Sequence, residues 1–528
     1  MKPSRAVARS TRAMIATPHD LATAAGADVL RRGGNAVDAA IAANGVLSVV
    51  YPASCGLGGD AFWIIHDPKR GQVSYNGSGR TPQRASLGDL PGGMLPQRGA
   101  LSVTVPGAVR SWEDVAAAHG TRGLDDLLAP AEAYARDGFA ATSVVADYFA
   151  LNAPVLRADA ETTRLYLGRG IPQAGDRLVN ADLADTIARI RKGGADAFYT
   201  GQTAAGIVKT LNTGGNRMTL DDLASHRTHA TEPVRLAWNG GELLAHPPNS
   251  QGACLLMGCG MLEGDRRADE PLWHHLGIEA MKRTLEIRDA SFCDPAFGDA
   301  HLADVLRPER LAELRAEIDP ERARSAEFAP LGGGTIFLCV VDENGMAVSL
   351  IESLYMNFGS GLIGEGTGVF LQNRGANYST VPGTPNVYAG GKRPLHTLSP
   401  PMFLRNGEPE LVFGNMGGDG QPQIQLQVLH HHYDRGFDVQ AAVDQPRWIY
   451  GRHTLTERPD IDPREAVLVE SRFDPDVLRS LEEKGHTVVP LGPYENAMGH
   501  AHAIAIDQER GTLSGGADPR ADSLALGL

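Results

Sequence analysis

Apolar positions along the chain follow two periods, and the switches between them predict the elements. From Pro18 to Arg32 the apolar residues recur at helical spacing, and Gly33-Gly34 stops the run. Asn35-Ala-Val-Asp38-Ala-Ala-Ile-Ala-Ala-Asn44 begins a second, alanine-rich helix whose small side chains allow close packing on a sheet. A glycine-rich turn, Pro52 to Phe62, leads into strand-like Phe62-Trp-Ile-Ile-His66, and Val73 to Gly77 is also strand-like. Residues 107–227 are mostly helical, with turns at Gly138, Gly168 and Gly201, and Trp273 to Asp289 predicts another helix. Beyond Ser399-Pro400 strands dominate again, with one helix from about Pro422 to Tyr433.

The most informative stretch is Leu331-Gly-Gly-Gly-Thr335-Ile-Phe-Leu-Cys-Val-Val341. Three glycines release the backbone, one hydroxyl follows, and a continuous apolar, β-branched run begins at once. Asp342-Glu-Asn-Gly345 then makes a hairpin turn into a second strand, Met346 to Leu354. No linker and no repeat of fixed period divides the chain. Central sheet with outer helices, in one large folded unit of α/β or α+β type, is the expected architecture.

Composition narrows the function classes. The 528 residues are 42% hydrophobic and 21% charged, with a net charge of −14 spread along the chain. That charge opposes nonspecific binding to nucleic acid or to an anionic membrane. Five cysteines (Cys55, Cys254, Cys259, Cys293, Cys339) form no Cys-x-x-Cys, and most lie in apolar stretches. Buried free thiols are expected, which suggests a reducing compartment. The N-terminus has basic residues but no apolar core of signal-peptide length, and no run approaches the ~18 apolar residues of a membrane span. A cytoplasmic protein is the expectation.

Thr335 carries the candidate chemistry. A threonine at the lip of a core strand, behind flexible glycines, suits a peptide bond that is cut to free a new N-terminus. The freed α-amine, with an ordinary pKa of about 7.7–8.0, would act as base for its own hydroxyl. Other segments line up with it: Gly33-Gly-Asn-Ala-Val-Asp-Ala-Ala40, Gly56-Leu-Gly-Gly59, Arg80 in Ser-Gly-Arg-Thr-Pro, and Val105-Pro-Gly-Ala-Val109. Then come Glu279-Ala-Met-Lys282 with Arg288-Asp289, Gly391-Lys-Arg-Pro394, Gly417-Gly418 and Ala517-Asp-Pro-Arg520. In this order, from about Ile15 to the C-terminus, the chain resembles the γ-glutamyltranspeptidase family of N-terminal-nucleophile hydrolases.

The resemblance implies an αββα four-layer sandwich and self-cleavage between Gly334 and Thr335. A large chain of residues 1–334 and a small chain of 335–528 would stay intertwined as one protomer; whether protomers pair into a homodimer is left open. It implies Thr335 as nucleophile, Ser353 as a second hydroxyl bonded to it, and the amides of Gly417 and Gly418 as oxyanion hole. Arg80 falls where the family's arginine grips the substrate carboxylate. No metal or organic cofactor is implied.

Departures from the family pattern bear on substrate. Ile336 replaces the frequent threonine after the nucleophile. Arg374 and Asn377 stand where glutathione-cleaving members usually offer glutamine and aspartate. Tyr355 replaces an asparagine, and His396-Thr397 replace paired serines. An α-ammonium wants an acidic partner, and these changes remove it and add a guanidinium. The expected substrate is therefore a small amide carrying its own carboxylate, as in the family's oxamate amidohydrolase branch. γ-Glutamyl transfer and glutaryl (cephalosporin-type) acylase activity are the alternatives within the family. A catalytically silent scaffold is the alternative from another class. His430-His-His432 is expected to be a solvated helix end, since consecutive helical residues point about 100° apart and cannot converge on one ion. His500 and His502 are expected on one face of a strand, in the core or at an interface. Asp60, beside the Gly56–Gly59 turn, is expected to support loop geometry only.

Overall fold

A computed structural model describes residues 4–326, 333–451, 462 and 465–528. The expected helices are present. Asp20–Arg31 ends before Gly33 (φ +81°), and Ala36–Val50 starts behind Asn35, whose side chain accepts from the Asp38 amide while Asp38 accepts from the Asn35 amide. Every residue of Ala36–Val50 is buried, which explains its alanine-rich, all-round apolar composition.

Two seven-stranded antiparallel sheets lie face to face. One runs, edge to edge, Leu524–Gly527, Met14–Thr17, Gly334–Val341, Ala347–Tyr355, Asp60–Asp67, Gly71–Gly77, His229–Thr231. The other runs Ala8–Ser10, Thr512–Ala517, Ala501–Asp507, Glu408–Asn415, Pro401–Arg405, Gly241–Ala245, Val234–Trp238. Three cores fill the spaces between four layers. Ile336, Leu338, Val340, Trp63 and Ile65 face one helical layer; Phe337, Cys339, Val341, Phe62, Ile64, Met402 and Val412 fill the space between the sheets. Leu255, Trp273, Ile424 and Trp448 pack in the layer beyond the second sheet. This is the αββα arrangement, and it explains why the strand after Thr335 is apolar without alternation: both of its faces are buried. Each large apolar side chain so buried contributes about 1.5–3 kcal/mol.

Gly334–Val341 (the nucleophile strand) and Ala347–Tyr355 (the return strand) form the expected hairpin, with Gly345 at φ +85°. Asp342 closes the turn through the Asn344 and Met346 amides and also accepts from Ala36 N, joining the hairpin to the buried helix. All five cysteines are free and buried. Among the described residues, no helix is long and apolar enough to cross a membrane.

The histidine run departs from expectation. His430 and His431 are buried, in a wide turn (His430–Asp434) that continues the helix Gly420–Leu429. That helix is buried throughout, so its end lies inside the protein: the His430 ring stacks on Trp273 at 3.6 Å, and its Nδ1 lies 2.9 Å from Asp434 Oδ2. His500 and His502 are both buried, as expected.

Candidate active site

Strand parity brings the candidate groups together. Thr335, Ser353 and Asp60 share the parity of Phe337, Ile351 and Phe62, which face the space between the sheets, and they stand at one end of three adjacent strands. Ser353 is the register partner of Asp60. The pairing shifts between Gly334 and Ile336, so Thr335 sits in a bulge, a device that re-aims a side chain.

The Gly334 carbonyl, on the bond expected to be cut, accepts from Thr335 Oγ1 at 2.7 Å and from Ser353 Oγ at 2.6 Å. Ser353 Oγ in turn accepts from the Tyr355 amide at 2.7 Å and from Arg374 Nη2 at 3.1 Å. A hydroxyl has one proton and two lone pairs. With both lone pairs occupied, the Ser353 proton is directed at Gly334 O, and Thr335 Oγ1, 3.2 Å from Ser353 Oγ, also spends its proton there. The carbonyl is thereby polarised by two donors. A side chain at Gly334 would meet Asn357 Oδ1, at 2.3 Å, and would have to displace the Asn357 side chain.

Gly417 and Gly418 have φ values of +139° and +59°, conformations natural only to glycine. Among the described residues their amides donate to nothing, and the Cα of Gly418 lies beside Gly333, within 3.5 Å of where a Cβ there would sit. Gln251 fixes this loop: its Nε2 donates to Gly418 O at 2.9 Å and Thr397 O at 2.8 Å, while its Oε1 accepts from Arg288 Nη1 at 2.9 Å. Arg288 also pairs with Asp289 and Asp419.

Arg374 is fully buried. Its Nη1 donates to Thr397 Oγ1 at 3.1 Å, its Nη2 to Ser353, and its guanidinium lies over the Tyr355 ring at 4.5 Å. Tyr355 ends the return strand at φ +77°, a conformation unusual outside glycine, and this turn places its ring under Arg374. No carboxylate of the described residues pairs with Arg374, and its Nε has no hydrogen-bond partner. Burial pulls its pKa down to about 10, with Tyr355 and Asp60 acting in the opposite sense. It therefore stays charged at neutral pH.

The other expected site residues divide. His396 is buried with Nε2 3.5 Å from Asp60 Oδ2, and burial with the nearby Arg374 and Arg393 holds its pKa well below the usual value. Asn377 stands behind the site: its Nδ2 donates to Leu395 O at 3.0 Å, steadying the segment that carries His396 and Thr397. Arg80 is engaged elsewhere, donating from Nη1 to Asp294 Oδ2 and to Gly391 O, both at 2.8 Å. Gln251, Asn357 and the link from Arg288 to the glycine loop were not legible in the sequence; Arg288-Asp289 was visible as a motif but without a role. Asp60 does hold a loop, through Gly79 N at 3.1 Å, yet it also faces this site.

One further cluster could suggest a metal. His275, Glu279 and His486 bring ligand atoms within 4.8 Å of one another. Lys282 Nζ already donates to Glu279 Oε1 at 2.7 Å, and the two imidazoles bond each other at 2.8 Å. The cluster is a charge-balanced core contact.

Two antiparallel sheets between helical layers, with a hydroxyl residue at the lip of a central strand, define the N-terminal-nucleophile hydrolase fold. The sequence matches the profile of the family described as Gamma-glutamyltranspeptidase over residues 22–528, and the chain belongs to that family of enzymes. It is 38% identical over 528 residues to the glutathione hydrolase-like YwrD proenzyme of Bacillus subtilis, covering 98% of this chain and 99% of the relative. It is 36% identical over 535 residues to the oxamate amidohydrolase proenzyme of Klebsiella pneumoniae, covering 98% and 99%. The crystal structure of cephalosporin acylase from Bacillus halodurans superposes with a TM-score of 0.93 at 32% identity, over 100% of this chain and 98% of that one.

Proposed function

We propose that this protein cleaves itself between Gly334 and Thr335 and then hydrolyses a small, carboxylate-bearing amide of the oxamate type through a Thr335 acyl-enzyme. The observation that carries the reading is Arg374: a buried guanidinium without a carboxylate partner, 3.1 Å from the hydroxyl that neighbours the nucleophile. A buried guanidinium that is hydrogen-bonded to hydroxyls and to no carboxylate can take an incoming carboxylate as a charge-assisted partner. Its position also limits substrate length. Arg374 Nη2 and Thr335 Oγ1 both lie about one hydrogen-bond length from Ser353 Oγ, at 3.1 and 3.2 Å. A carboxylate bonded directly to the scissile carbonyl fits that spacing.

Each residue has a task. In the precursor Ser353 polarises Gly334 O, Thr335 Oγ1 attacks the Gly334 carbonyl carbon and displaces its own nitrogen, and water hydrolyses the resulting ester, leaving the Gly334 carboxylate and the free Thr335 amine. In the mature enzyme that amine accepts the hydroxyl proton as Oγ1 attacks the substrate carbonyl. The Gly417 and Gly418 amides stabilise the oxyanion. The amine or ammonia leaves, and water releases the acid. Before and after the cut, strands of both segments share both sheets, so the two chains remain one unit. The relative named for oxamate hydrolysis supports the substrate class.

The test is intact mass of the purified protein, followed by ammonia release from oxamate beside cleavage of γ-glutamyl and glutaryl anilides. Two fragments beginning at Met1 and Thr335, with oxamate turned over in preference, are expected. Dominant anilide cleavage would return the pocket to γ-glutamyl or glutaryl chemistry, and one uncut, inactive chain of 56.1 kDa would mark a scaffold.

A further inference from the structure

Beside Arg374 lies a set of buried polar atoms that the reaction above leaves unused. Asp60 is fully buried at the register position opposite Ser353. Its Oδ1 accepts from Gly79 N, while its Oδ2 has no hydrogen-bond partner and lies 3.5 Å from His396 Nε2. Neither nitrogen of the buried His396 ring has a hydrogen-bond partner, and neither has Arg374 Nε. Four unsatisfied atoms at 0% exposure, in side chains of opposite and titratable character, are costly unless something completes them.

Other charges facing Asp60 come from several elements. Arg374 acts from the segment after the return strand, Arg393 from the loop before His396, and Glu352 from the return strand itself. Burial raises the Asp60 carboxyl to about 7, against the pull of Arg374, the Gly79 and Gly107 amides and Arg393. Glu352, raised to about 8 by burial and by Asp60 as a lesser cause, is held by Gly56 N and Asn44 on the far side of the strand. His396 stays neutral. Among the described residues, Asp60 is thus the nearby carboxylate that offsets Arg374 when no ligand is bound.

We propose that Asp60 is a positioning residue that exchanges its charge for that of the substrate: as a carboxylate docks on Arg374, one proton from solvent is taken up at Asp60 Oδ2, facing His396 Nε2. The exchange balances. One negative charge enters with the ligand and one is neutralised by the proton, so the buried Arg374 keeps a single counter-charge throughout. His396, with Nε2 free of other partners, accepts the hydrogen bond of the protonated acid. The device selects for anionic substrates, because a neutral amide would leave Asp60 ionised and Arg374 balanced already. It also sets the sign of the pH dependence: one proton taken up per ligand means affinity for carboxylates falls about tenfold per pH unit above the titration of free Asp60.

This inference rests on Arg374 being the carboxylate site, and the experiment separates the two. Glycolate is the probe: it carries one negative charge, has no amide to hydrolyse and does not titrate near neutral pH. Calorimetric binding to the processed protein, at several pH values in phosphate and in Tris, reads proton uptake directly from the difference in heat between buffers. Near pH 8 the wild type should take up close to one proton per glycolate, Asp60→Asn close to none, and His396→Gln close to one. Wild-type uptake near zero, or uptake that persists in Asp60→Asn, overturns the role of Asp60 while leaving carboxylate binding intact. Glycolate binding that survives Arg374→Met, or no glycolate binding at all, overturns the Arg374 site and this inference with it. The wild-type arm needs no variant, so a misfolded Asp60→Asn does not blunt the test.

Discussion

Two groups of buried arginines show how the same side chain serves opposite ends. Near the C-terminal strands, Arg447, Arg472 and Arg520 interlock with Asp444, Glu470 and Asp518. Arg520 pairs with Glu470 at 2.5 Å and Asp518 at 3.1 Å, Arg447 with Asp518 at 2.6 Å, and Arg472 with Glu470 at 2.9 Å. Three cations meet three anions, and that cluster asks for no ligand. Arg374 is equally buried, but its donors meet only the hydroxyls of Ser353 and Thr397. Burial depresses the pKa of Arg374 and of Arg447 alike, to about 10, although Arg447 has Asp518 as a partner. Burial alone therefore does not separate a structural arginine from a binding one. The presence or absence of a carboxylate in direct contact does.

The comparison can be broken by mutation. The largest effect is expected from Thr335→Ala, which should leave one uncut band of 56.1 kDa and no hydrolysis above background, read on a denaturing gel and by ammonia release. Next come the arginines. Arg374→Met should lower kcat/KM for oxamate by a factor of about 10²–10³, the scale of losing one partner of a buried charge pair, while keeping or raising Tm. Arg520→Met should do the reverse, costing about 3–5 kcal/mol of stability by leaving three buried carboxylates to two arginines, with the activity of the folded fraction retained. If both variants merely unfolded, the distinction between the two groups would be lost.

Ser353→Ala should slow both processing and turnover by roughly 10- to 100-fold, because it removes one of two donors to Gly334 O and one ligand of Arg374. The smallest effect concerns pH and stability. Asp60 is raised in the folded state to about 7, so its contribution is present below the unfolded pKa of about 3.9 and is lost as pH rises through 7. The unfolding free energy of Asp60→Asn should therefore gain on that of the wild type between about pH 4 and pH 7, by an amount of order a few kcal/mol, and hold that gain above, with Tm following in the same direction. A constant difference across the range would mean that Asp60 does not titrate as the site requires.

Much of this was legible in the residue order because local rules governed it. The capped helix at Asn35, the Asn344-Gly345 turn, the apolar run after Thr335 and the paired glycines at 417–418 each follow from neighbours a few positions apart. The His430–His432 run misled for the complementary reason. Helical spacing says which residues share a face, and only packing says whether that face meets water or Trp273.

Sequence by itself determined the family, the four-layer class, the candidate nucleophile and the unusual arginine at position 374. Tertiary structure alone decided which charges are answered. Arg80, suspected of gripping substrate, is answered by Asp294, whereas Arg374 is answered by no carboxylate and faces Ser353. Asp60, from a turn nearly 300 residues upstream, enters the same site because strand register sets it opposite Ser353. Electrostatic balance depends on distances of a few ångströms between residues far apart in the chain. Sequence order carries no record of those distances until the strands are paired.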